Sequence, residues 1–228
     1  MILSNDPMDA PDTDYYTSCV TPWPECEDAY LMLCAEYHRT SDKLDIRMRT
    51  SRDGLYFYPI SREPFLPLSE YPPFDKCFYM DSGVLNLTEG EWTMYFFSGE
   101  YHHNDPYPGR KNPNSALYRA TLREDGFVSV YAEGEGRLVT MPLERTGDTL
   151  QINAKCLPRG YVKAEIVDVK ADTPVEGFTL AECDGISGDK VWQTMTWQGN
   201  SSLSALDPEK EYRIRFRLFK TDLYAYKF

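Results

Sequence analysis

The sequence is poor in positive charge and has no long apolar run, and each shortage excludes a class of protein. Lysine and arginine number 24 against 36 aspartates and glutamates, a formal net charge of −12. Nucleic-acid-binding proteins usually carry a basic stripe, and anionic lipid attracts clustered basic residues, so neither partner is expected. No apolar run reaches the roughly 18 residues that a membrane-spanning helix needs. A neutral ligand remains compatible with this composition.

Short motifs of metal, phosphate and nucleophile chemistry are also missing. The six cysteines form no Cys-x-x-Cys pair and never combine with histidine at zinc-finger spacing, so we expect mostly buried free thiols. There is no glycine-rich phosphate loop, GxSxG elbow or HExxH helix, and we expect neither metal nor cofactor. The start, MILSNDPMDAPDTD, lacks the basic and apolar regions of a signal peptide. Localisation stays open, because export would depend on a signal peptide in a longer protein.

Aromatic residues, by contrast, are abundant. They make up 14% of the chain, with 17 tyrosines and 4 tryptophans. Tyrosine and tryptophan favour β structure and also line sugar-binding surfaces. The composition therefore favours an all-β protein and makes carbohydrate a candidate ligand.

The tripeptide Glu-Tyr-His occurs twice, each time after an apolar run. When His38 is placed on His102, Val20–His38 falls on Val84–His102, and RTSRDGLYF later resembles ATLREDGFV. Each copy holds four short strand-like runs, with an Asp-Gly hairpin signal between the third and the fourth. The runs are YYTSCVTPW, AYLMLCAEY, LDIRMRTS and LYFYPI in the first copy and MDSGVLNL, WTMYFFSGEY, SALYRATL and FVSVYA in the second. Four antiparallel strands in roughly 45–50 residues are typical of a β-propeller blade. The pattern predicts two blades, at about residues 15–60 and 78–132.

The pattern changes after about residue 140. The runs TLQINAKC, YVKAEIVDV, VWQTMTWQG and EYRIRFRLF are separated by turn signals such as LPRG and LDPEKE, and DLYAYKF follows as a final strand. Such regular short strands predict a β-sandwich over residues 140–228, after a partial propeller over residues 1–139. Two blades do not close a ring, so exposed blade edges could pair between copies in a homo-oligomer.

Three stretches resemble a known family. The segment from GFTLAECDG to DLYAYKF resembles the C-terminal sandwich of bacterial glycoside-hydrolase-like proteins that have a five-bladed propeller related to glycoside hydrolase families 32 and 43. YRATLREDGFVSVYAEGEGRLVTMPL is similar to their passage from last blade to sandwich, and SRDGLYFYPISREPFLPL to a blade-to-blade turn. The resemblance, from about Tyr15 to Phe228, implies a chain that holds the last two blades and the sandwich.

Two functions follow as hypotheses. The resemblance implies the C-terminal part of a glycoside hydrolase, incomplete by itself, because the catalytic acidic residues of such enzymes come mostly from the first three blades. It therefore assigns no catalytic residue here. The alternative is a carbohydrate-binding or adhesion module without catalytic activity, and a purely structural oligomer is the third interpretation.

The two repeats supply candidate sugar-contacting residues. In a blade the innermost strand begins, and the second strand ends, at the ligand-bearing face, where a carboxylate could protonate a glycosidic oxygen or orient a water. Alternatively, Glu-Tyr-His is a structural signature whose tyrosine packs between blades. Of Trp192 and Trp197, one is expected in the core and the other as a stacking platform. The candidates are Asp81, Glu100, His102 and His103, with Asp14, Tyr16, Glu36 and His38 from the first repeat.

Overall fold

The computed structural model describes residues 3–23, 26–106 and 115–228, and all the regular secondary structure within them is β. The all-β prediction is confirmed. The chain divides into two compact units, Met1–Thr121 and Leu122–Phe228. This division lies upstream of the one expected near residue 140. Within the described residues there is no helix with the length and apolar character to cross a membrane.

The first unit is built on one sheet with two groups of strands. Strands β1 to β4 pair in chain order, and in the second group β7 pairs with β5, β6 and β8. A single parallel pair, Leu44 with Cys77, joins β3 to β5. The strands are β1 Thr13–Pro22, β2 Tyr30–His38, β3 Lys43–Ser51, β4 Tyr58–Pro59, β5 Cys77–Met80, β6 Leu85–Thr88, β7 Glu91–Gly99 and β8 Ser115–Arg123.

Strand β2 is the central element of the first group, and its apolar run YLMLCA is buried on both faces. Met32 and Cys34 pack with Phe57 on one face, whereas Leu31 and Leu33 are buried on the other. A continuous apolar run is what a strand covered on both sides requires, since each buried large side chain contributes about 1.5–3 kcal/mol. Burial of β2 fixes the positions of the polar residues at its end.

The second unit has one sheet whose order is β10-β14-β11-β12, with β9 on β14 and β13 on β11. Tyr212, Ile214, Phe216 and Leu218 are buried, and the arginines between them point away from that core. Along EYRIRFRLF, strand β14 therefore alternates buried apolar residues with outward-facing arginines. The strands are β9 Val130–Val139, β10 Leu143–Glu144, β11 Gln151–Asp168, β12 Thr173–Pro174, β13 Asp189–Thr194 and β14 Glu211–Lys227.

One predicted turn and one predicted break between strands are absent. LPRG does not separate two strands but lies inside β11, and EYRIRFRLF and DLYAYKF form one strand, β14. The register shifts between Cys156 and Tyr161 on β11 and between Phe219 and Thr221 on β14. Bulges absorb turn-like residues without ending a strand, so a turn signal by itself was misleading here.

The fourth strand of each repeat also differs from expectation. LYFYPI contributes only the two residues of β4, because a hydrogen-bonded turn around Asp53 holds the preceding residues. In the second repeat, FVSVYA runs into β9, which pairs with β14. The second repeat therefore contributes its strands β5 to β8 to the first sheet and its last run to the other sheet.

The cysteines are all free, and four of the six are buried, as the sequence predicted. Burial raises the pKa of both Cys34 and Cys77 to about 11. Cys26, near the surface between β1 and β2, donates its thiol proton to Asp28 at 3.3 Å.

Native-state labelling should therefore modify Cys26 well before Cys34 or Cys77. At pH 8 a thiol with a pKa of about 11 is ionised in only about one molecule in a thousand, and the thiolate is the reacting form. Peptide mass spectrometry after a brief exposure to iodoacetamide measures this order. Cys26→Ser should remove the fast fraction, and rapid labelling of Cys34 in the folded protein would contradict it.

Candidate functional site

The two Glu-Tyr-His segments meet in the first unit. The loop after β7 lies on the turn between β2 and β3, where the backbone N–H of His103 donates to the carbonyl oxygen of Asp42 at 3.1 Å. Asn104 donates through its backbone to the Asp42 carboxylate at 3.0 Å and through its side chain to the Tyr37 hydroxyl at 2.7 Å. Asp42 has a φ of 58°, a left-handed conformation that aspartate tolerates in turns.

His103 lies at the centre of an aromatic cluster that we call the tyrosine rim: Tyr16, Tyr37, Tyr79 and His103. The imidazole ring is 4.5 Å from the Tyr16 ring and 5.0 Å from the Tyr37 ring, measured between centroids. Its Nδ1 is 2.8 Å from the Tyr79 hydroxyl. Burial raises the pKa of Tyr79, so this hydroxyl keeps its proton. Tyr16 is 55% exposed and gives the rim an accessible ring.

Glu36 and His38 point away from the tyrosine rim, since they alternate with Tyr37 along β2. His38 Nε2 is 2.9 Å from Asp45 Oδ2, and Arg47 Nε donates to Asp45 Oδ1 at 2.7 Å. Glu36 is 3.6 Å from Arg47. Burial raises the pKa of Glu36, although the Arg47 guanidinium acts in the opposite direction.

Glu36, His38 and Arg47 border a cavity of about 200 Å³, which we call the charged cavity. Arg62 covers it through ion pairs to Asp6 and Asp9. Most of its charged groups already have a protein partner of opposite sign, so the cavity offers little uncompensated charge to a ligand. It is lined by Met8, Asp9, Ala10, Glu36, His38, Arg47, Arg49, Ser61 and Arg62.

The other sequence candidates lie elsewhere in the first unit. Asp14 accepts two hydrogen bonds from Arg39, at 3.0 and 3.2 Å. Asp81 donates its backbone N–H to Tyr95, and its charge contributes to a raised pKa of Cys19. His102 donates its backbone N–H to Asp105 at 2.8 Å. Glu100 is exposed just after β7. Neither Glu100 nor Asp14, Asp81 or His102 lines the charged cavity.

A larger concave surface of the first unit combines exposed aromatic rings with polar groups. This aromatic groove has a volume of about 390 Å³. Tyr56 is 60% exposed and Tyr58 66%. The groove is lined by Trp23, Ala29, Tyr30, Thr50, Ser51, Arg52, Asp53, Tyr56, Tyr58 and Ile60.

The Asp-Gly turn after β3 builds one side of the groove. One carboxylate oxygen of Asp53 accepts hydrogen bonds from the backbone N–H groups of Leu55 and Tyr56, at 2.8 and 2.9 Å. These bonds lower the pKa of Asp53, so the turn is held at neutral pH. Gly54 has a φ of +70°, and a Cβ there would already touch the Tyr30 ring at 3.4 Å.

Alternation along LYFYPI turns two tyrosines outward. Phe57 is buried against Met32 and Cys34, which leaves Tyr56 and Tyr58 on the opposite side of the segment. Because the Phe57 side chain is packed in the core, the segment is held in place while the Tyr56 and Tyr58 rings stay exposed. The sequence predicted only a strand for this segment, and its three consecutive aromatic residues were the available signal for a site.

The far side of the groove is fixed by contacts between the β1–β2 connection and its neighbours. Trp23 makes an edge-on contact with the buried Trp92, with centroids 6.2 Å apart. Its backbone N–H donates to Ala29 at 2.8 Å. Arg52 reaches Asp28 at 3.3 Å. The groove is therefore formed before any ligand binds.

The two tryptophans singled out in the second unit have different environments. Trp197 is in the core and donates its indole N–H to the carbonyl oxygen of Ala164 at 3.1 Å. Trp192 donates its indole N–H to Glu124 at 2.8 Å, and the Lys227 ammonium lies 4.0 Å from its ring centre. One face of Trp192 is therefore already occupied by a cation.

No protein-family profile matches the chain. The curated proteins likewise include no similar sequence. Across the residues that the structure describes, no group of three or more histidine, cysteine, aspartate or glutamate side chains is arranged to hold a metal ion.

Proposed function

We propose that the chain binds carbohydrate in the aromatic groove and acts within a glycoside-hydrolase-like protein. The observation that carries this proposal is the combination of exposed rings and hydrogen-bonding groups in one preformed groove. The C–H face of a sugar ring is apolar and packs on aromatic rings, whereas its hydroxyl groups need polar partners. Tyr56 and Tyr58 supply the rings, and Ser51, Arg52 and Asp53 supply the partners.

The size and structure of the groove also support this function. Ligand sites in proteins are concave, usually preformed and about 300–1,000 Å³ in volume. The groove, at about 390 Å³, falls within that range. The charged cavity is smaller, and its arginines and carboxylates are largely paired with each other. A neutral saccharide is therefore better accommodated in the groove.

The proposal extends to the architecture that the family resemblance implies. We propose that β1 to β4, which pair antiparallel in chain order, correspond to one propeller blade, and that β5 to β8 correspond to most of another. We also propose a sandwich for the second unit, where both ends of the bent strands β11 and β14 contribute to one core. In such a protein the groove would hold part of the substrate, and hydrolysis would use residues that the resemblance does not assign here.

Binding by the groove is tested with the full chain and a panel of neutral oligosaccharides, measured by calorimetry. At least one sugar should bind, and the double variant Tyr56→Ala/Tyr58→Ala should weaken it at least about tenfold, because each stacked ring contributes on the order of 1 kcal/mol.

Tyr71→Ala is the matched control. Tyr71 is 74% exposed but does not line the groove, so the variant should keep the affinity of the unmodified chain. If no neutral sugar binds, or if the tyrosine pair and the control behave alike, the proposed function is wrong.

A further inference from the structure

Three cations stand side by side on the outward face of the second unit. Arg217 on β14 pairs directly with Arg137 on β9 and with Lys163 on β11. Directly opposite residues of an antiparallel sheet share one face, and like charges in that arrangement repel each other. Such a row is unusual in a chain whose net charge is −12.

Neighbouring carboxylates neutralise most of this charge but not all of it. Arg217 is 3.4 Å from Glu135, and the positive charge of Lys163 acts on Asp184. In the adjacent row, Arg215 is paired with Glu165 at 3.6 Å and with Asp172 at 2.8 Å. Among the described residues, no carboxylate lies within ion-pair distance of Arg137.

The unpaired cation borders a cavity. This arginine cleft has a volume of about 260 Å³, and Arg137, Arg215 and Arg217 line it together with Glu165. Val139 and Leu180 add apolar surface, and the remaining lining residue is Phe216. The cleft thus offers guanidinium groups beside a wall that can contact a carbon skeleton.

We propose that the arginine cleft binds a carboxylate or sulfate group carried by a small saccharide. Guanidinium groups bind anions that present two oxygens, such as carboxylate and sulfate, through two parallel hydrogen bonds, and within the described residues Arg137 makes no ion pair that would use this capacity. An anion there would also relieve the repulsion between Arg137 and Arg217. That the ligand is a saccharide rests on the proposed function; the cleft is in the other unit and uses different residues.

The rest of the chain limits the ligand to a small one. Glu135 and Glu165 flank the arginines, and the overall charge is strongly negative. A polyanion would meet this repulsion over its whole length, whereas a sugar with one charged group would meet it little. Because the side chains of Arg215 and Arg217 are partly exposed, salt should screen their attraction for an anion.

The test uses the full chain and three probes: glucuronic acid, glucose 6-sulfate and glucose. Amide chemical shifts of residues 135–139 and 213–217 are followed by NMR at low ionic strength. We expect saturable shifts with either charged sugar and none with glucose. Arg137→Gln and Arg217→Gln should each weaken binding at least about fivefold.

Arg213→Gln is the matched control, since Arg213 lies on the outward face of the same strand but does not line the cleft. It should leave the affinity unchanged. Absence of saturable shifts, or equal weakening by Arg213→Gln, would overturn the site. Inorganic sulfate that binds as tightly as glucose 6-sulfate would overturn the saccharide assignment. Tyr56→Ala/Tyr58→Ala must leave these shifts intact, which separates this test from that of the groove.

Discussion

Replacing Gly160 with alanine is expected to lower the free energy of unfolding of the second unit by about 3 kcal/mol. A Cβ at this position would lie 2.3 Å from the carbonyl oxygen of Lys220 and 2.8 Å from that of Phe219. Both oxygens belong to the backbone of β14, so no side-chain rotation relieves the overlap. The two strands must separate, or the bulge must rearrange.

The surroundings of Gly160 make either adjustment costly. β11 and β14 pair along most of their length, and both shift register at this level. Arg159 and Lys220 have φ values of 69° and 45°, so the bulge is already built from left-handed conformations that most residues disfavour. Val162, just beyond the bulge, is buried in the core, and movement of its strand would disturb that packing.

Urea unfolding of the full chain measures the effect, with hydrogen exchange of β11 amides to assign it to the second unit. Gly134→Ala is the matched control, since Gly134 lies on β9 of the same sheet and a Cβ there meets nothing within 4 Å. This control should change stability by less than about 1 kcal/mol. Equal stability of the two variants would show that the close approach at Gly160 is not rigid.

The strands that the sequence predicted best are those that can be recognised from their own side chains, without knowledge of their pairing partners. YLMLCA became β2, which is buried on both faces, and WTMYFFSG became β7, which buries Trp92, Met94 and Phe96. LDIRMRTS and SALYRATL became β3 and β8. The errors concern pairing partners: nothing in FVSVYA indicates that β9 joins β14, since that choice depends on residues far along the chain.

Site prediction met the same limit. The sequence placed Glu36 and His38 among the candidates from the first repeat, and they lie on one face of β2 beside Asp45. It did not predict Asp45 itself, because cross-strand neighbours follow from the β2–β3 register. The contact of His103 with Tyr37 depends on a loop that folds across another element. Local motifs identify residue types, and tertiary packing selects which of them meet.

Replacing Asp45 with alanine is expected to destabilise the first unit by about 3–5 kcal/mol. Asp45 is buried and accepts direct hydrogen bonds from Arg47, at 2.7 and 3.2 Å. It also holds His38 at 2.9 Å. The variant would leave the largely buried guanidinium of Arg47 without its hydrogen-bonded carboxylate, with only the more distant Glu36 as a counter-charge.

Glu36 on β2 lies directly opposite Asp45 on β3, and its replacement should change stability in the opposite direction. Its carboxylate lies 3.6 Å from Arg47 and 4.0 Å from Arg49, beyond hydrogen-bond distance, and burial raises its pKa. A carboxyl whose pKa is raised by folding costs stability as pH rises from its unfolded pKa through its folded pKa. Glu36→Gln removes that cost and should stabilise the protein at neutral pH.

Thermal or urea unfolding between pH 3 and pH 8 tests both variants. The advantage of Glu36→Gln over the unmodified chain should be absent below the ordinary glutamate pKa of about 4.3 and should grow above it until Glu36 is fully ionised. Asp45→Ala should be destabilised throughout neutral pH. The two variants should therefore change the free energy of unfolding in opposite directions, because Asp45 is hydrogen-bonded to Arg47 and Glu36 is not. If both carboxylates acted only through their charge beside the same arginine, both variants would be destabilising. Loss of stability in Glu36→Gln at pH 7 would therefore contradict the raised pKa and the geometry from which it follows.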